Sequence, residues 1–528
     1  MIQIIEGPSG SGKSHFVYEE LIHASMETPE QKFFLIVPEQ FTMQAQRDIV
    51  TLHPRHGTMN IDIVSFNRLA YRVFEELNVQ RDYVLEDFGK SMLLQKILMQ
   101  YRNELPIFGV SYNKMGFLDE LKSLLTELFQ YRIGREDIQE LYNTEELPVM
   151  LRQKLHDLLT VYDAFQKEVQ GNYIIAEHIL EILAGIIPQS ELLAGSVIYL
   201  DGFTGFTPIQ YEVLEGLMQV SAALKVTVTL DAASAKQETC KPHELFYLSK
   251  DTIKRILSGA ERLGIYAEEY FMETEGIRYV DEEMKHLERN LFRYPYQVWK
   301  QEVKGIHIQA MRNPRQELHE VARQIHELVR KQGYRYQDIA VIHGDLESID
   351  AITAEIFPKL DIPYFIDANH NIYMNPCLEC IRAVLEIAER NYSYESVFRF
   401  LKTGVTGLET EALELLENYV LQRGIRGYAW WKKVFDVSEE ELAGLDTKQY
   451  TILETGRQVL QILENVISQL QKAETVSEYV DAMCGFLKQL QMQEQLEQAA
   501  DNFEETGDYV QAKAFRQIYE HLDEIWEK

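Results

Sequence analysis

Cysteine is scarce in this sequence of 528 residues, which has four, at Cys240, Cys377, Cys380 and Cys484. Their small number and wide separation exclude a disulfide framework. Cys377 and Cys380 form a lone C-x-x-C, and no second pair exists to complete a four-thiolate metal site. We expect both to be buried helix residues, with a redox or metal-binding role as the alternative.

Long apolar runs are also missing. The most apolar helical stretch, near 174–187, is interrupted by Glu177, His178 and Glu181, and no run reaches membrane-spanning length. Residues 1–6 lead directly into a glycine-rich loop and do not resemble a secretory leader. We therefore expect a cytoplasmic protein without a membrane partner.

Positive charge is in short supply, because 52 Lys and Arg stand against 83 Asp and Glu and leave a net charge of −31. This balance argues against a protein that coats nucleic acid, since DNA binding requires local neutralisation of phosphates. It does not exclude a DNA channel in which the basic residues are confined to a groove.

Proline is absent after Pro376, although the chain has 14 prolines in all. Helices can therefore run without proline breaks from 377 to 528. An apolar stripe at helical spacing supports this prediction, and its members are Val459, Leu460, Leu463, Val466, Ile467 and Leu470. The pattern predicts a helical block with a buried face.

The first 280 residues have a different pattern, in which short apolar segments alternate with helical ones. The strand candidates are 2–5, 33–37, 61–64, 197–200 and 226–230. Strands separated by helices predict a parallel, doubly wound α/β sheet. The long helical stretch at 86–190 is predicted to be an insertion into that sheet domain.

A second α/β unit is predicted to begin near 304, after a polar and aromatic linker at 276–303. Its strand candidates are 305–310, 338–342 and 363–366, and 317–331 has helical spacing. A chain of this length is too long for one core. The predicted order is therefore sheet domain with helical insertion, second sheet domain, and helical block.

A phosphate loop is the most specific motif in the chain. It matches G-x-x-x-x-G-K-[ST] and consists of Gly7, Pro8, Ser9, Gly10, Ser11, Gly12, Lys13 and Ser14. It follows a predicted strand and opens a predicted helix, which is the context that the motif requires. We expect its backbone N–H groups and helix dipole to bind ATP, Lys13 to bridge the β- and γ-phosphates, and Ser14 to hold Mg²⁺.

The strand at 197–200 is followed by a candidate magnesium residue. Asp201 stands in the position of an aspartate that reaches Mg²⁺ through water, with a strand-end turn as the alternative. An active helicase usually has a glutamate next, to polarise the attacking water, but here that position is Gly202. The pattern predicts a site that binds nucleotide and hydrolyses it poorly, so we name no catalytic residue.

Several segments resemble the AddB family of bacterial helicase-nuclease proteins. In chain order they are VPEQFT at 37–42, SFNRLA at 65–70, GFLDEL at 116–121, DGFTGFTPIQ at 201–210, FLKTG at 400–404 and ENYVL at 417–421. Each string is weakly specific alone, but their order makes the set more specific, and it extends over nearly the whole chain.

The resemblance implies a superfamily 1 helicase fold with P-loop parallel sheet domains and large helical insertions. In this fold, domain 1A would consist of residues 1–85 and 191–275, and its helical insertion 1B of residues 86–190. Residues 304–376 would be the first part of domain 2A, and residues 377–528 would be an incomplete helical insertion 2B. It also implies a heterodimer with a motor subunit, AddA, that acts on double- and single-stranded DNA in break repair and recombination. Recognition of the Chi hotspot, a nuclease domain and an iron-sulfur cluster are implied for the family, the last two in a C-terminal half that this sequence lacks.

The resemblance also places some residues beside single-stranded DNA. These candidates are Phe41, Thr42, Ser65, Phe66, Asn67 and Arg68. Aromatic rings can stack on bases, and hydroxyl, amide and guanidinium groups can bind phosphates. The alternative is a set of core aromatics beside a solvated basic face.

Two other functions stay open at this point. The chain could be an autonomous ATP-driven DNA translocase, against which Gly202 argues. It could also be a non-enzymatic scaffold in which the phosphate loop has a purely structural role.

Overall fold

A computed structural model of the chain describes residues 1–57, 60–79, 84–85, 87–144, 146–169, 173–175, 178–237, 240–272, 278–366, 372 and 375–527. These residues form two compact units, Met1–Ile308 and Gln309–Lys528. The predicted boundaries at 86 and 276 and the last residue, Lys528, lie outside the described residues. The finer division into 1A, 1B, 2A and 2B stays an interpretation.

The first unit is built on a six-stranded sheet in which every paired strand is parallel. Its strands are β1 (Ile2–Gly7), β2 (Phe33–Ile36), β3 (Ile61–Val64), β6 (Val197–Leu200), β7 (Ala223–Thr229) and β8 (Ala267–Phe271), in the order β3-β2-β6-β7-β1-β8. The register pairs Ile4 with Val226 and Ile36 with Leu200. The five strand predictions for this unit are confirmed, and β8 is an additional strand.

Helices cover both faces of this sheet, as a doubly wound α/β fold requires. The helices of this unit are α1 (Lys13–Glu27), α2 (Thr42–Leu52), α3 (Phe66–Glu76), α4 (Asp87–Gln100), α5 (Met115–Gln130), α6 (Arg135–Tyr142), α7 (Val149–Val169), α8 (His178–Ile186), α9 (Pro208–Val220), α10 (Ala232–Ala235), α11 (Tyr247–Arg262) and α12 (Glu282–Asn290). Neighbouring residues on β1 point to opposite faces, so that Ile5 packs with α1 and α2 while Ile4 packs with α3, α8, α9 and α11. The predicted α/β fold class is therefore confirmed.

The stretch between β3 and β6 has a core of its own. Apolar side chains of α4, α5 and α7 form it, beside a short parallel pair of strands, β4 (Val84–Leu85) and β5 (Ile174–Ile175). The apolar stretch near 174–187 was expected to be one helix, but it begins as β5 and α8 starts only at His178. Within the predicted linker, α12 is a helix with acidic residues in its first turn, which suits the helix dipole.

The second unit is helical. Its helices are α13 (Pro314–Gln332), α14 (Leu346–Lys359), α15 (Pro376–Glu389), α16 (Tyr394–Leu401), α17 (Thr410–Arg423), α18 (Tyr428–Phe435), α19 (Glu439–Leu442), α20 (Thr447–Lys472), α21 (Val476–Gln489), α22 (Met492–Glu505) and α23 (Tyr509–Glu527). Side-chain caps mark many of their starts, for example Asp446 on α20 and Thr475 on α21. The predicted proline-free helical block is confirmed, and its stripe at Val459, Leu463 and Leu470 is buried.

The strand predictions at 305–310, 338–342 and 363–366 are wrong for the described residues, since none of the three forms a backbone ladder. A strand exists only when its N–H and C=O groups pair with another strand. These segments instead place apolar residues at the surface, and Ile308, Ile342 and Phe365 are nearly fully exposed. The sequence pattern identified these segments as apolar, but a strand also requires a partner elsewhere in the chain.

The C-x-x-C cysteines are buried in α15. Cys377 and Cys380 are both free and inaccessible to solvent, and burial raises the pKa of Cys377 to about 12. The expectation of two buried helix cysteines is confirmed. Neither thiol is ionised near neutral pH, which argues against a reactive role.

One glycine of the second unit allows two helices to approach closely. A Cβ on Gly456 of α20 would collide with the Phe435 ring, which packs against the buried Trp431 at a ring distance of 5.0 Å. We predict that Gly456→Ala lowers the free energy of unfolding by on the order of 1–3 kcal/mol, because overpacking displaces that ring. Urea unfolding followed by tryptophan fluorescence measures this.

Gly485→Ala is the matched control, since Gly485 also lies inside a helix, α21, and an added Cβ there meets nothing within 4 Å. We expect it to be neutral or to stabilise by ~0.5–1 kcal/mol, because alanine has the higher helix propensity. Equal destabilisation by the two substitutions would contradict the packing described for Gly456.

Candidate nucleotide site

The phosphate loop joins β1 to α1 at the carboxyl edge of the parallel sheet. β1 ends at Gly7 and α1 begins at Lys13, and between them Gly12 has a φ of 90°, which a residue with a side chain rarely adopts. The loop borders a cavity of about 560 Å³. The cavity-lining residues from the predicted motif are Ser9, Gly10, Gly12, Lys13 and Ser14, and Asp201 lines the same cavity.

The ammonium group of Lys13 is held inside the loop. Its Nζ donates to the carbonyl oxygens of Gly7 at 2.8 Å and of Pro8 at 2.9 Å, and the side chain is buried. Burial lowers the pKa of Lys13 to about 8, the charge of Asp201 opposes this shift, and the charge of Arg278 adds to it. The lysine is therefore pre-positioned beside the loop amides, and an anion in the cavity would restore its ordinary pKa.

Asp201, directly after β6, is a buried carboxylate with two hydroxyl partners. The Thr227 hydroxyl of the neighbouring strand β7 donates to its Oδ1 at 2.6 Å. Burial raises the pKa of Tyr18, and so do the charge and the hydrogen bond of Asp201. The hydrogen bond from Thr227 holds Asp201 in the lining of the cavity that the loop also borders, which fits a role in orienting a hydrated cation.

The backbone conformation of Gly202, the residue after Asp201, disfavours any residue with a side chain. Its φ is +82°, in the left-handed region, and an added Cβ would contact the Pro38 and Phe41 side chains at 3.6 and 3.9 Å. A glutamate here would be strained by on the order of 1–2 kcal/mol. Placing a water-activating carboxylate at position 202 would therefore require a change of backbone conformation as well as of the side chain.

Two further acidic residues, Glu6 and Asp48, lie near the loop. Burial raises the pKa of Glu6, which precedes the loop, to about 7, and a hydrogen bond with Glu269 adds to the shift. Asp48 of α2 also lines the cavity, and its Oδ1 accepts from the Gln44 amide at 2.8 Å. No motif marks Asp48, Thr227 or Arg278, so reasoning from the sequence missed these three cavity residues.

A magnesium ion fits this site only together with a nucleotide. Ser14 is exposed at the start of α1, and Asp201 lines the same cavity. Among the residues that the structure describes, no group of three or more His, Cys, Asp or Glu could hold a metal ion. Mg²⁺ usually keeps several waters and takes its remaining ligands from one or two protein groups and substrate phosphates, which matches a serine hydroxyl and one carboxylate.

The six DNA candidates lie after β2 and β3, at the same edge of the sheet, but with different exposure. Phe41 is 47% exposed, and Asn67 and Arg68 are exposed on α3. Thr42, Ser65 and Phe66 are buried. The buried three have partners inside the protein, since Phe66 packs edge-on against Phe203 at 5.5 Å and the Ser65 hydroxyl caps α3 by accepting from the Arg68 N–H at 3.3 Å.

Glu39 joins these elements. The Ser65 hydroxyl donates to its Oε2, the Arg68 Nε donates to its Oε1 at 3.2 Å, and the Thr42 hydroxyl donates to its backbone oxygen at 2.9 Å. These contacts order the surface formed by residues 39–42 and 65–68 in the absence of a ligand. The Phe41 ring and the Asn67 side chain of this surface are exposed to solvent.

Two family models together match almost the whole chain. The model described as ADDB, N-terminal, matches residues 4–288, and the model described as UvrD-like helicase C-terminal domain matches residues 277–528. The first contains the phosphate loop, Asp201 and all six DNA candidates. In the part of the chain that the structure describes, no helix is long and apolar enough to cross a membrane.

Similar curated proteins are named as the B subunits of ATP-dependent helicase/deoxyribonucleases. That of Lachnoclostridium phytofermentans is 36% identical over 541 residues, which cover 100% of this chain and 47% of the relative. Those of Caldanaerobacter subterraneus and Alkaliphilus metalliredigens are 32% identical and cover 99% and 100% of this chain, and 46% and 47% of the relatives. The chain thus spans about half the length of the relatives that it matches.

The buried lysine makes a pH-dependent affinity for phosphates testable. Below pH 8 the Lys13 ammonium is charged, and above pH 8 a bound anion has to draw a proton onto it first. We predict that the affinity for Mg-ADP is nearly constant up to pH 8 and falls above it, approaching tenfold per pH unit. Isothermal titration calorimetry from pH 7 to 9.5 measures this.

Lys13→Arg is the control, because arginine stays charged throughout that range. We expect weaker but pH-independent binding, since the guanidinium does not fit the two carbonyl contacts of Lys13. A wild-type affinity that is unchanged between pH 7 and 9.5 would show that Lys13 does not meet the phosphates.

Proposed function

Because this chain belongs to the AddB family of helicase/deoxyribonuclease proteins, we propose that it binds ATP with Mg²⁺ and handles DNA without being the motor. In this proposal the chain acts in a heterodimer with a motor subunit, AddA, in double-strand break repair and homologous recombination. Recognition of the Chi hotspot is part of the same proposal. A nuclease domain and its iron-sulfur cluster would lie in the half of the relatives that this chain does not span.

The observation that carries the proposal is the combination of a complete phosphate loop with Gly202. Lys13, Ser14 and Asp201 surround one cavity, which supports binding of a nucleoside triphosphate with its cation. At the same time, the residue after Asp201 has left-handed backbone. Hydrolysis requires a group that polarises the attacking water, and the position that usually supplies it has no side chain.

The second part of the proposal is that the chain handles DNA. It is supported by the exposed residues of the surface around Glu39. Phe41 is an exposed aromatic ring at the carboxyl edge of the sheet. Such rings bind single strands by stacking on bases without reading sequence. The Arg68 Nε is paired with Glu39 at 3.2 Å, which holds an exposed guanidinium on this surface.

Proximity suggests how the two parts communicate. The nearest side-chain atoms to a Cβ at Gly202 belong to Pro38 and Phe41. A nucleotide that changes the positions of Asp201 and Gly202 would therefore also change the position of the Phe41 side chain. In this proposal ATP acts as a ligand that couples the nucleotide cavity to the DNA-binding edge, and unwinding is performed by the partner.

Binding without turnover is the central expectation for ATP. We predict that the wild-type chain binds Mg-ATP, that Lys13→Ala lowers the affinity at least tenfold, and that steady-state hydrolysis stays at background with or without single-stranded DNA. Calorimetry and a coupled phosphate-release assay measure the two quantities. Lys225→Ala is the control, because Lys225 of β7 pairs with Glu20 of α1 and does not line the cavity.

Two outcomes would contradict this. Robust DNA-stimulated turnover that is lost in Lys13→Ala would identify an autonomous translocase. A wild-type chain that binds no nucleotide would leave the phosphate loop with a purely structural role.

For DNA, we predict that Phe41→Ala weakens binding of an oligo-dT single strand by on the order of 1–3 kcal/mol, because one stacking platform is lost. Tyr266→Ala is the matched control. Tyr266 is also an exposed aromatic residue, but its carbonyl pairs with Ile2 at the amino edge of the same sheet. Fluorescence anisotropy measures both affinities, and an equal loss in the two variants would show that the carboxyl edge has no special role.

A further inference from the structure

Arg278 lies on the phosphate loop although it is distant from it in the sequence. Its backbone N–H donates to the carbonyl oxygen of Gly10 at 3.3 Å. A Cβ on Gly10 would meet the Arg278 Cβ at 3.0 Å and the Tyr279 ring at 3.2 Å. Gly10 is thus in close contact with this segment, and the absence of its side chain allows the approach.

The contact is anchored by the neighbouring sheet edge. β8 pairs with β1 in parallel, and the Met272 N–H, just beyond β8, donates to the Glu6 carbonyl oxygen at 2.8 Å. β8 therefore ends beside the loop, at the same carboxyl edge of the sheet. This topology accounts for a residue so late in the unit reaching residues 7–14.

The Arg278 side chain belongs to the nucleotide cavity. It lines the cavity together with Lys13, Ser14 and Asp201, and its charge acts on Lys13. Within the described ranges, its guanidinium has no carboxylate at ion-pair distance, whereas Arg293 of the same segment is paired with Asp231 at 2.9 Å. Among the residues that the structure describes, Arg278 thus has no carboxylate at ion-pair distance, and it lines the same cavity as the buried ammonium of Lys13.

Lys13 and Arg278 repel each other across this cavity, and an anion bound between them would remove that repulsion. A guanidinium also presents several donors in a planar fork, which matches the geometry of phosphate oxygens. Both considerations point to the same ligand chemistry, a polyphosphate.

We propose that Arg278 is a further phosphate ligand of this site and contacts the polyphosphate of the bound nucleotide opposite Lys13. The proposal deepens the function proposed above and rests on it, since it requires that the loop binds a nucleotide. In this proposal an arginine of the first unit, Arg278, contacts the bound phosphates.

The test compares the affinities of Mg-ATP and Mg-ADP in the wild type, Arg278→Ala, Arg278→Lys and Arg262→Ala by calorimetry. We expect Arg278→Ala to weaken both nucleotides roughly tenfold or more, as loss of a charged hydrogen bond does. Arg278→Lys should lie between the alanine variant and the wild type, because it keeps the charge without the fork. Arg262 is the control, since it pairs with Glu215 on α9 and does not line the cavity.

Four results separate this inference from its premise, two for each. A wild-type chain that binds neither nucleotide, or a Lys13→Ala variant that binds as tightly as the wild type, would overturn the proposed function itself. Wild-type binding that depends on Lys13 but is unchanged in Arg278→Ala would overturn only the role of Arg278. Tighter binding by Arg278→Ala, with unchanged thermal unfolding, would overturn it too and would show that the segment obstructs the loop.

Discussion

The parallel alignment of the six strands is the constraint on which the nucleotide site depends. Because all paired strands run in one direction, the segments that follow them meet at one edge of the sheet. The phosphate loop follows β1, Asp201 follows β6, and Thr227 lies near the end of β7, which separates them. The hydrogen bond from Thr227 to Asp201 ties two of these strands together across the cavity. The same edge carries Phe41 and Arg68, so that nucleotide and DNA candidates are neighbours.

Electrostatics and backbone geometry together separate binding from hydrolysis. A buried ammonium with a pKa of about 8 favours an anion, and the fixed Asp201 carboxylate favours a hydrated cation beside it. Gly202 removes the group that would activate water and has a conformation that a glutamate would strain. The lysine and the aspartate stabilise the bound nucleotide, but no group at position 202 stabilises the transition state of hydrolysis. Under these conditions a ligand is bound without being hydrolysed.

Local patterns were sufficient for the parts of the fold that depend on neighbouring residues. The phosphate loop, the five strands and the buried stripe of α20 are all visible as spacing in the sequence, because glycine, apolar alternation and helical periodicity act over a few residues. The strands expected at 305–310, 338–342 and 363–366 do not form because pairing requires a distant partner. Thr227, Asp48 and Arg278 were missed for the same reason, since each reaches the cavity through long-range topology and none belongs to a motif. Phe66 was predicted as a DNA candidate from its motif, and only the packing with Phe203 shows that its ring is buried.

The central claim is that residues 7–14 hold ATP as an intact ligand. The most direct measurement is to incubate the chain with Mg²⁺ and radiolabelled ATP, separate it from free nucleotide, and identify the retained nucleotide by chromatography over several hours. The account predicts about one nucleotide per chain, recovered as ATP, and no retention by Lys13→Ala. Retained ADP that accumulates with time would contradict the account, because it would show that the site hydrolyses what it binds despite Gly202.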